Sequence, residues 1–221
     1  MLVTVGAETL VEEIRADLSP VRDQLLAHAY VAAVEEGLIQ LEQLRPFACE
    51  QHAIISSDLR SVAHLVSRFG GDFFLDVLAG EHAALQALGT FSTALGLNAE
   101  DMEAYEPLPG AHAYTAYMAW LGAYGSEAEV AAAYLVNFPA WGESCARLSR
   151  ALTSRYGLTP DQVRFFDLFA DPAAGFEARA LAVIEAGLRR GVQERRIRRA
   201  ARLLQGYELL YWDTLLGELQ R

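Results

Sequence analysis

Apolar and polar positions alternate at a helical period along most of the chain, with glycine and proline falling between the periodic segments. Leu10, Val11, Ile14 and Leu18 predict an amphipathic helix from Glu8 to Leu18, and Ser19-Pro20 supplies an N-cap and an N1 proline for a second one through Leu25 and Leu26. Glu36-Gly37 ends a short third helix. Leu41 to Phe69 reads as the first long helix, with a break available at Pro46. Its inward stripe is Phe47, Gln51, Ile54, Ile55, Asp58, Val62 and Leu65, and a stripe that admits Gln51 and Asp58 is not purely core. Gly70-Gly71 stops it, and Asp72 to Leu97 follows, with Phe73, Val77, Leu85, Leu88 and Leu95 apolar. Asn98 caps a short acidic helix, Pro107 to Gly110 forms a loop, and Ala111 to Tyr124 is rich in alanine and aromatic residues. Ser126 and Glu129 form a capping box for a helix reaching about Arg155, which Pro139 should kink. Thr159-Pro160-Asp161 starts a helix through Phe165, Phe166 and Phe169, and Asp171-Pro172 starts another that ends near Gly187 or Gly191. Gly191 to Arg221 closes the chain.

Strand signals are nearly absent, since Val, Ile and Thr rarely alternate with polar residues while Ala, Leu, Glu and Arg dominate. The pattern predicts an all-α protein of roughly eight to ten helices with short loops and no internal repeat. One domain over residues 1–221 is the natural count.

Composition narrows the function. At 221 residues and 52% apolar content the chain can build a substantial core. A formal net charge of −11 argues against a nucleic-acid or anionic-membrane surface, because phosphate binding needs clustered cations. The basic cluster from Arg189 to Arg202 reads as the solvated face of a helix. There is no lysine, which excludes a Schiff-base lysine and a P-loop lysine. The opening Met1 to Val5 lacks a basic region typical of a signal peptide, and no apolar run is long enough to span a bilayer, so a cytoplasmic location is expected.

Few groups carry recognisable chemistry. His28, His52, His64, His82 and His112 are scattered without helical pairing, Glu50 and His52 point in different directions, and no metal or other cofactor is expected. Cys49 and Cys145 have no metal-ligand spacing and read as small buried hydrophobes. In the closing segment Glu208 lies among leucines and tyrosines, with Tyr211 and Trp212 on the same helix face. Such a carboxylate is either tied into a core or set in a pocket with a raised pKa. From this stretch alone the core reading is the better default.

The ordered signposts His28-Ala29-Tyr30-Val31 with Gly37, Phe47 to Ile55, Ala113 to Met118, Glu129 to Glu143 and Tyr207 to Asp213 resemble the TenA (thiaminase II) family. That family belongs with PqqC and haem oxygenase among compact all-helical folds, so the resemblance implies a haem-oxygenase-like helical bundle. It also implies a pocket that hydrolyses thiamine or a degraded aminopyrimidine. There an Asp grips the pyrimidine, a Cys attacks it and a C-terminal Glu moves protons. The Asp position falls on Gln51, the Cys position on Asn137, and two tyrosine positions on Trp141 and Phe169, while Tyr114 and Glu208 are kept. Asparagine is no nucleophile, and Gln51 cannot form a charge-assisted contact.

The resemblance therefore implies a re-specified pocket for a small, planar, nitrogen-containing ligand. Glu208 is its catalytic acid/base, and Gln51, Tyr114, Asn137, Trp141, Phe169, Tyr207, Phe47 and Ile54 are binding residues. The alternative is a non-catalytic ligand-binding or partner module whose cavity Phe138, Trp141, Phe166 and Phe169 fill. A haem-oxygenase-like oxygen-using or di-iron enzyme ranks below both, because the two-iron relatives need histidines on the first and last long helices, where this chain offers Glu50, His52, Ser57 and Asp58, then Glu208 and Asp213. The family likeness also makes a homodimer or homotetramer an expectation.

Overall fold

Local capping chemistry sets where the helices begin. In the computed structural model, which describes residues 6–171 and 173–219, Ser126 Oγ accepts from the Glu129 amide while Glu129 Oε2 accepts from the Ser126 amide and hydroxyl, the reciprocal box expected there. Asn98 with Asp101, and Thr159 with Gln162, close their helices in the same way. The sequence readings at Met1 to Val5, at Pro172 and at Arg221 lie outside the described residues.

Eleven α-helices occur among the described residues, and no strand does. They are α1 (Ala7–Asp17), α2 (Ser19–Leu26), α3 (Ala29–Glu35), α4 (Arg45–Phe69), α5 (Asp72–Ala94), α6 (Ala99–Glu103), α7 (Pro109–Tyr124), α8 (Glu127–Ser154), α9 (Pro160–Ala170), α10 (Phe176–Arg189) and α11 (Glu194–Leu219). The segment read from Leu41 breaks at Pro46 as expected, so its α-helix begins at Arg45. A 3₁₀ turn, Leu41–Leu44, precedes α4, and Pro46 lies in the first turn, where its missing N–H costs no intrahelical bond. The loop expected through Gly110 gives way, since Pro109 likewise starts α7. The helix expected from Asp171-Pro172 starts at Phe176 instead, with Gly175 at φ 76° as its left-handed N-cap.

Pro139 sits inside α8, which stays one continuous helix. Its ring removes the donor that would serve the carbonyl of Leu135, and Arg15 Nη2 donates to that oxygen at 3.4 Å.

Six helices close a ring. α4 packs on α5, α5 on α9, α9 on α8, α8 on α11, α11 on α7, and α7 back on α4. α10 covers the outer side of α8 and α1 lies against α10. The core inside is divided. One apolar cluster gathers Phe47, Phe91, Phe165, Phe166 and Trp212, and the other gathers Phe73, Phe74, Met118, Tyr134 and Leu204. Each fully buried side chain of this size stabilises the fold by about 1.5–3 kcal/mol. Tyr114 packs against both clusters. Buried polar groups gather along the boundary it marks, and the site is there.

Candidate functional site

Every helix of the ring sends a side chain to one internal chamber. α4 supplies Gln51, Ile54, Ile55 and Asp58, α5 supplies Glu81, and α7 supplies Tyr114. α8 adds Asn137, Phe138 and Trp141, α9 adds Phe169, and α11 adds Glu208 and Tyr211. Helical spacing explains the choice, because 51, 54, 55 and 58 lie along one stripe of α4, as do 137, 138 and 141 on α8. The chamber has a free volume of about 40 Å³. That holds a few waters or a small functional group, whereas a whole benzene ring needs a cavity of about 150 Å³.

A second, larger cleft of about 740 Å³ adjoins it between α5, α8, α9 and the segment leading into α10. Glu81, Phe138, Trp141 and Phe169 line both spaces, so they form the wall between chamber and cleft. Gly142 sets this wall. A Cβ there would stand 2.7 Å from the backbone oxygen of Phe169, so glycine lets the end of α9 close on α8. The Trp141 and Phe169 rings meet edge-to-face at 5.7 Å.

Glu208 is only 2% exposed. Its Oε1 accepts a hydrogen bond from Trp212 Nε1 at 3.3 Å, whereas Oε2 has no hydrogen-bond partner. Burial pushes its pKa up to about 8, against the lowering effect of the Trp212 and Asn137 side chains. Near neutral pH its carboxyl therefore carries a proton it can give and regain.

Two further acids share the chamber. Burial pushes Glu81 up to about 7. Burial and then the neighbouring Glu81 charge push Asp58 well above the carboxylate range. Asp58 Oδ1 and Asn137 Oδ1, like Glu208 Oε2, are buried without a hydrogen-bond partner. Burial, and then the charges of Asp58, Glu208 and Glu81, keep the Tyr114 phenol protonated by raising its pKa.

Of the residues singled out in the sequence, Gln51, Ile54, Tyr114, Asn137, Trp141, Phe169 and Glu208 come together around the chamber. Phe47 and Tyr207 do not line it. Phe47 lies one turn before Gln51 and packs instead against Phe166, Trp212 and Trp141 at 5.5, 6.1 and 6.4 Å, beneath the lining residues. Tyr207 precedes Glu208 by one residue, which turns it about 100° around the helix. It faces Tyr117 instead, at 5.3 Å. Of the bulky residues expected to fill the cavity, Phe138, Trp141 and Phe169 border it, while Phe166 belongs to the aromatic core.

Asp58 was visible as a polar member of the α4 stripe, but Glu81 was not singled out. The available signal was that Glu81 falls four residues after Val77 and three before Ala84, on the buried face of α5. Neither cysteine reaches the chamber, and burial raises both thiols, Cys145 the more strongly. Among the described residues no three His, Cys, Asp or Glu side chains converge as a metal-binding group, and no helix is long and apolar enough to cross a membrane.

Comparison with known proteins bears on this arrangement. The family model described as TENA/THI-4/PQQC family matches residues 15–218. A TenA homologue from P. horikoshii OT3 superposes with a TM-score of 0.77 at 17% identity, covering 95% of this chain and 99% of its own. A TenA homologue from Pyrococcus furiosus gives 0.75 at 19% identity, with 93% and 99% covered. A domain with a heme oxygenase-like fold from Shewanella denitrificans OS217 gives 0.71 at 14% identity, with 95% and 93% covered. No curated protein matches the sequence. The all-α, haem-oxygenase-like architecture is thus shared across distant sequences.

Proposed function

The chain belongs to the TENA/THI-4/PQQC family, and from that premise we propose that it binds a small, planar, nitrogen-containing metabolite and moves protons on it through Glu208. The observation that carries this reading is the state of that side chain. It is buried, anchored through Oε1 by Trp212, unpartnered at Oε2, and poised near pH 8 beside a chamber. In this reading Oε2 donates its proton to a leaving nitrogen on the small group that enters the chamber, and the carboxylate so formed takes a proton from the water that adds at the carbon this nitrogen leaves. Gln51 and Asn137 present amides to the same group, and Tyr114 donates a hydrogen bond to it. With Asn137 in the nucleophile's position and both thiols raised, the reaction differs from that of a standard thiaminase II in forming no covalent adduct with a cysteine.

Native mass spectrometry of the purified protein identifies a co-purified ligand, and turnover of that compound is then compared with Glu208→Gln. Loss of turnover with binding retained supports the reading, and unchanged turnover overturns it. A second reading, a ligand-binding module without catalysis, is favoured by the small chamber and its bulky wall of Phe138, Trp141 and Phe169. In that case the ligand binds and is released unaltered by the native chain. The assembly proposed for either reading is a homodimer or homotetramer, to be measured by light scattering on the eluting protein.

A further inference from the structure

The chamber has a polarity that its ligand must answer. Three carboxyl side chains, Asp58, Glu81 and Glu208, line it, and no arginine, lysine or histidine does. Buried acids outside the chamber have a cation or donors on at least one oxygen, although Glu50 Oε2 is without a partner. Glu129 is held by Arg196 and Ser126, and Glu50 by the Tyr105 hydroxyl and the Leu108 amide. In the chamber Asp58 Oδ1 and Glu208 Oε2 have no donor, although both residues are buried to within 3% of full coverage. Buried oxygens left without donors are costly and are normally satisfied.

The two spaces also divide by size and character. The chamber, at about 40 Å³, accepts a small group, and the cleft beyond, at about 740 Å³, accepts a ring or a longer body. Glu81 lies on their boundary with the aromatic side chains Phe138, Trp141 and Phe169. A ligand entering from the cleft would pass its leading group between aromatic faces toward Glu81 and Asp58.

We infer that Asp58 and Glu81 form a cation subsite, one that takes an amidinium or ammonium head in the chamber while a flat apolar body lies in the adjoining cleft. This deepens the pocket reading and rests on it, but uses two residues to which the family resemblance assigned no role. The chemistry is that of charge-assisted hydrogen bonding, in which the head supplies the donors that the carboxyl oxygens lack and its charge draws the acids into their ionised form. The groups around Asp58 and Glu81 are Glu208 from α11, Tyr114 from α7 and Tyr134 from α8, and Arg15, Asp76, Glu143, Asp171 and Glu177 line the cleft that Glu81 borders. Those that titrate near neutrality are acids, so cation binding expels protons and tightens as pH rises from about 6 to about 8.

Benzamidine and its neutral isostere benzamide test this by calorimetry on the full chain, in buffers of different ionisation enthalpy. The expected result is at least a tenfold preference for benzamidine, with proton release on binding. Asp58→Asn and Glu81→Gln should each erase most of that preference while leaving benzamide binding unchanged. The two isosteric variants report independently, and near-UV circular dichroism checks each for native packing. Equal affinity for the two probes, or a preference that survives both variants, overturns the cation subsite and leaves the pocket reading standing. Absence of binding by either probe overturns both.

Discussion

Exchanging Glu208 for glutamine removes one titration and little else from the interior. Glutamine keeps the volume, and its carbonyl still accepts from Trp212 Nε1 as Oε1 does. In the native chain burial holds the Glu208 proton up to a pKa of about 8, against an ordinary value of 4.5. Below pH 4.5 both folded and unfolded chains carry the proton, and the contribution to stability is fully present. As pH rises from there to about 8 the unfolded chain releases a proton that the folded chain retains, so stability falls by about 1.4 kcal/mol per pH unit. Over that interval the loss reaches a ceiling of about 5 kcal/mol, which water entry and relaxation around the carboxylate reduce. The variant lacks this loss, whereas the titrations of Asp58, Glu81 and Tyr114 occur in both proteins and largely cancel in the difference. Thermal unfolding followed by tryptophan fluorescence should place the two proteins close together at about pH 5 and the variant several degrees higher at about pH 8. At about 2–4 °C per kcal/mol for a chain of this size, the ceiling corresponds to a gap on the order of 10 °C or more. Parallel pH profiles, or a variant that weakens relative to the native chain as pH rises, would refute the assignment of Glu208 as a buried acid with a raised pKa.

Three other outcomes follow from the geometry. Gly142→Ala drives a Cβ against the Phe169 carbonyl, so α9 must shift, with an expected loss of about 1–3 kcal/mol in urea unfolding and altered benzamide affinity. Ser126→Ala removes the side-chain half of the α8 capping box and should cost about 1 kcal/mol in the same assay, without changing ligand affinity. Phe47→Ala leaves a void in the first apolar cluster and should cost about 3–5 kcal/mol, while Tyr207→Phe, which keeps the contact with Tyr117, should leave ligand binding unchanged.

The fold was legible because the chain is locally consistent. Caps at Ser126, Asn98 and Thr159 agree with the apolar periods that follow them, and the α4 stripe from Phe47 to Leu65 is buried at every position the period names. Boundaries were less legible where proline was the marker. Pro46 and Pro109 open helices that the apolar pattern alone placed differently by a few residues. The site was legible along single helices and obscure between them. Gln51, Asn137 and Glu208 were assigned through a family likeness, and helical phase alone separates Glu208 from its neighbour Tyr207. That Glu81 faces Asp58 depends on α5 packing against α4, a relation between residues far apart in sequence that no local period encodes.

The division of the core gives that relation its consequence. Two apolar clusters that met directly would need no polar boundary, yet Asp58, Glu81, Asn137 and Glu208 are buried along it. Each unpartnered oxygen there costs about 1–3 kcal/mol, and apolar residues of the same volume would remove that cost. The neighbouring interior shows that this sequence can build such packing, as in the aromatic cluster around Phe47 and Phe166. The polar boundary is therefore a local departure from an otherwise consistent core, and departures of this kind concentrate at functional sites. It also explains the chamber's size. Phe138, Trp141 and Phe169 close off apolar space that would weaken the fold, while Glu81 borders both the chamber and the cleft. On this argument the bulky side chains that favour a filled cavity and the unpartnered acids that favour a ligand serve one arrangement: a narrow chamber selects a small donor-bearing head and excludes the ring that carries it.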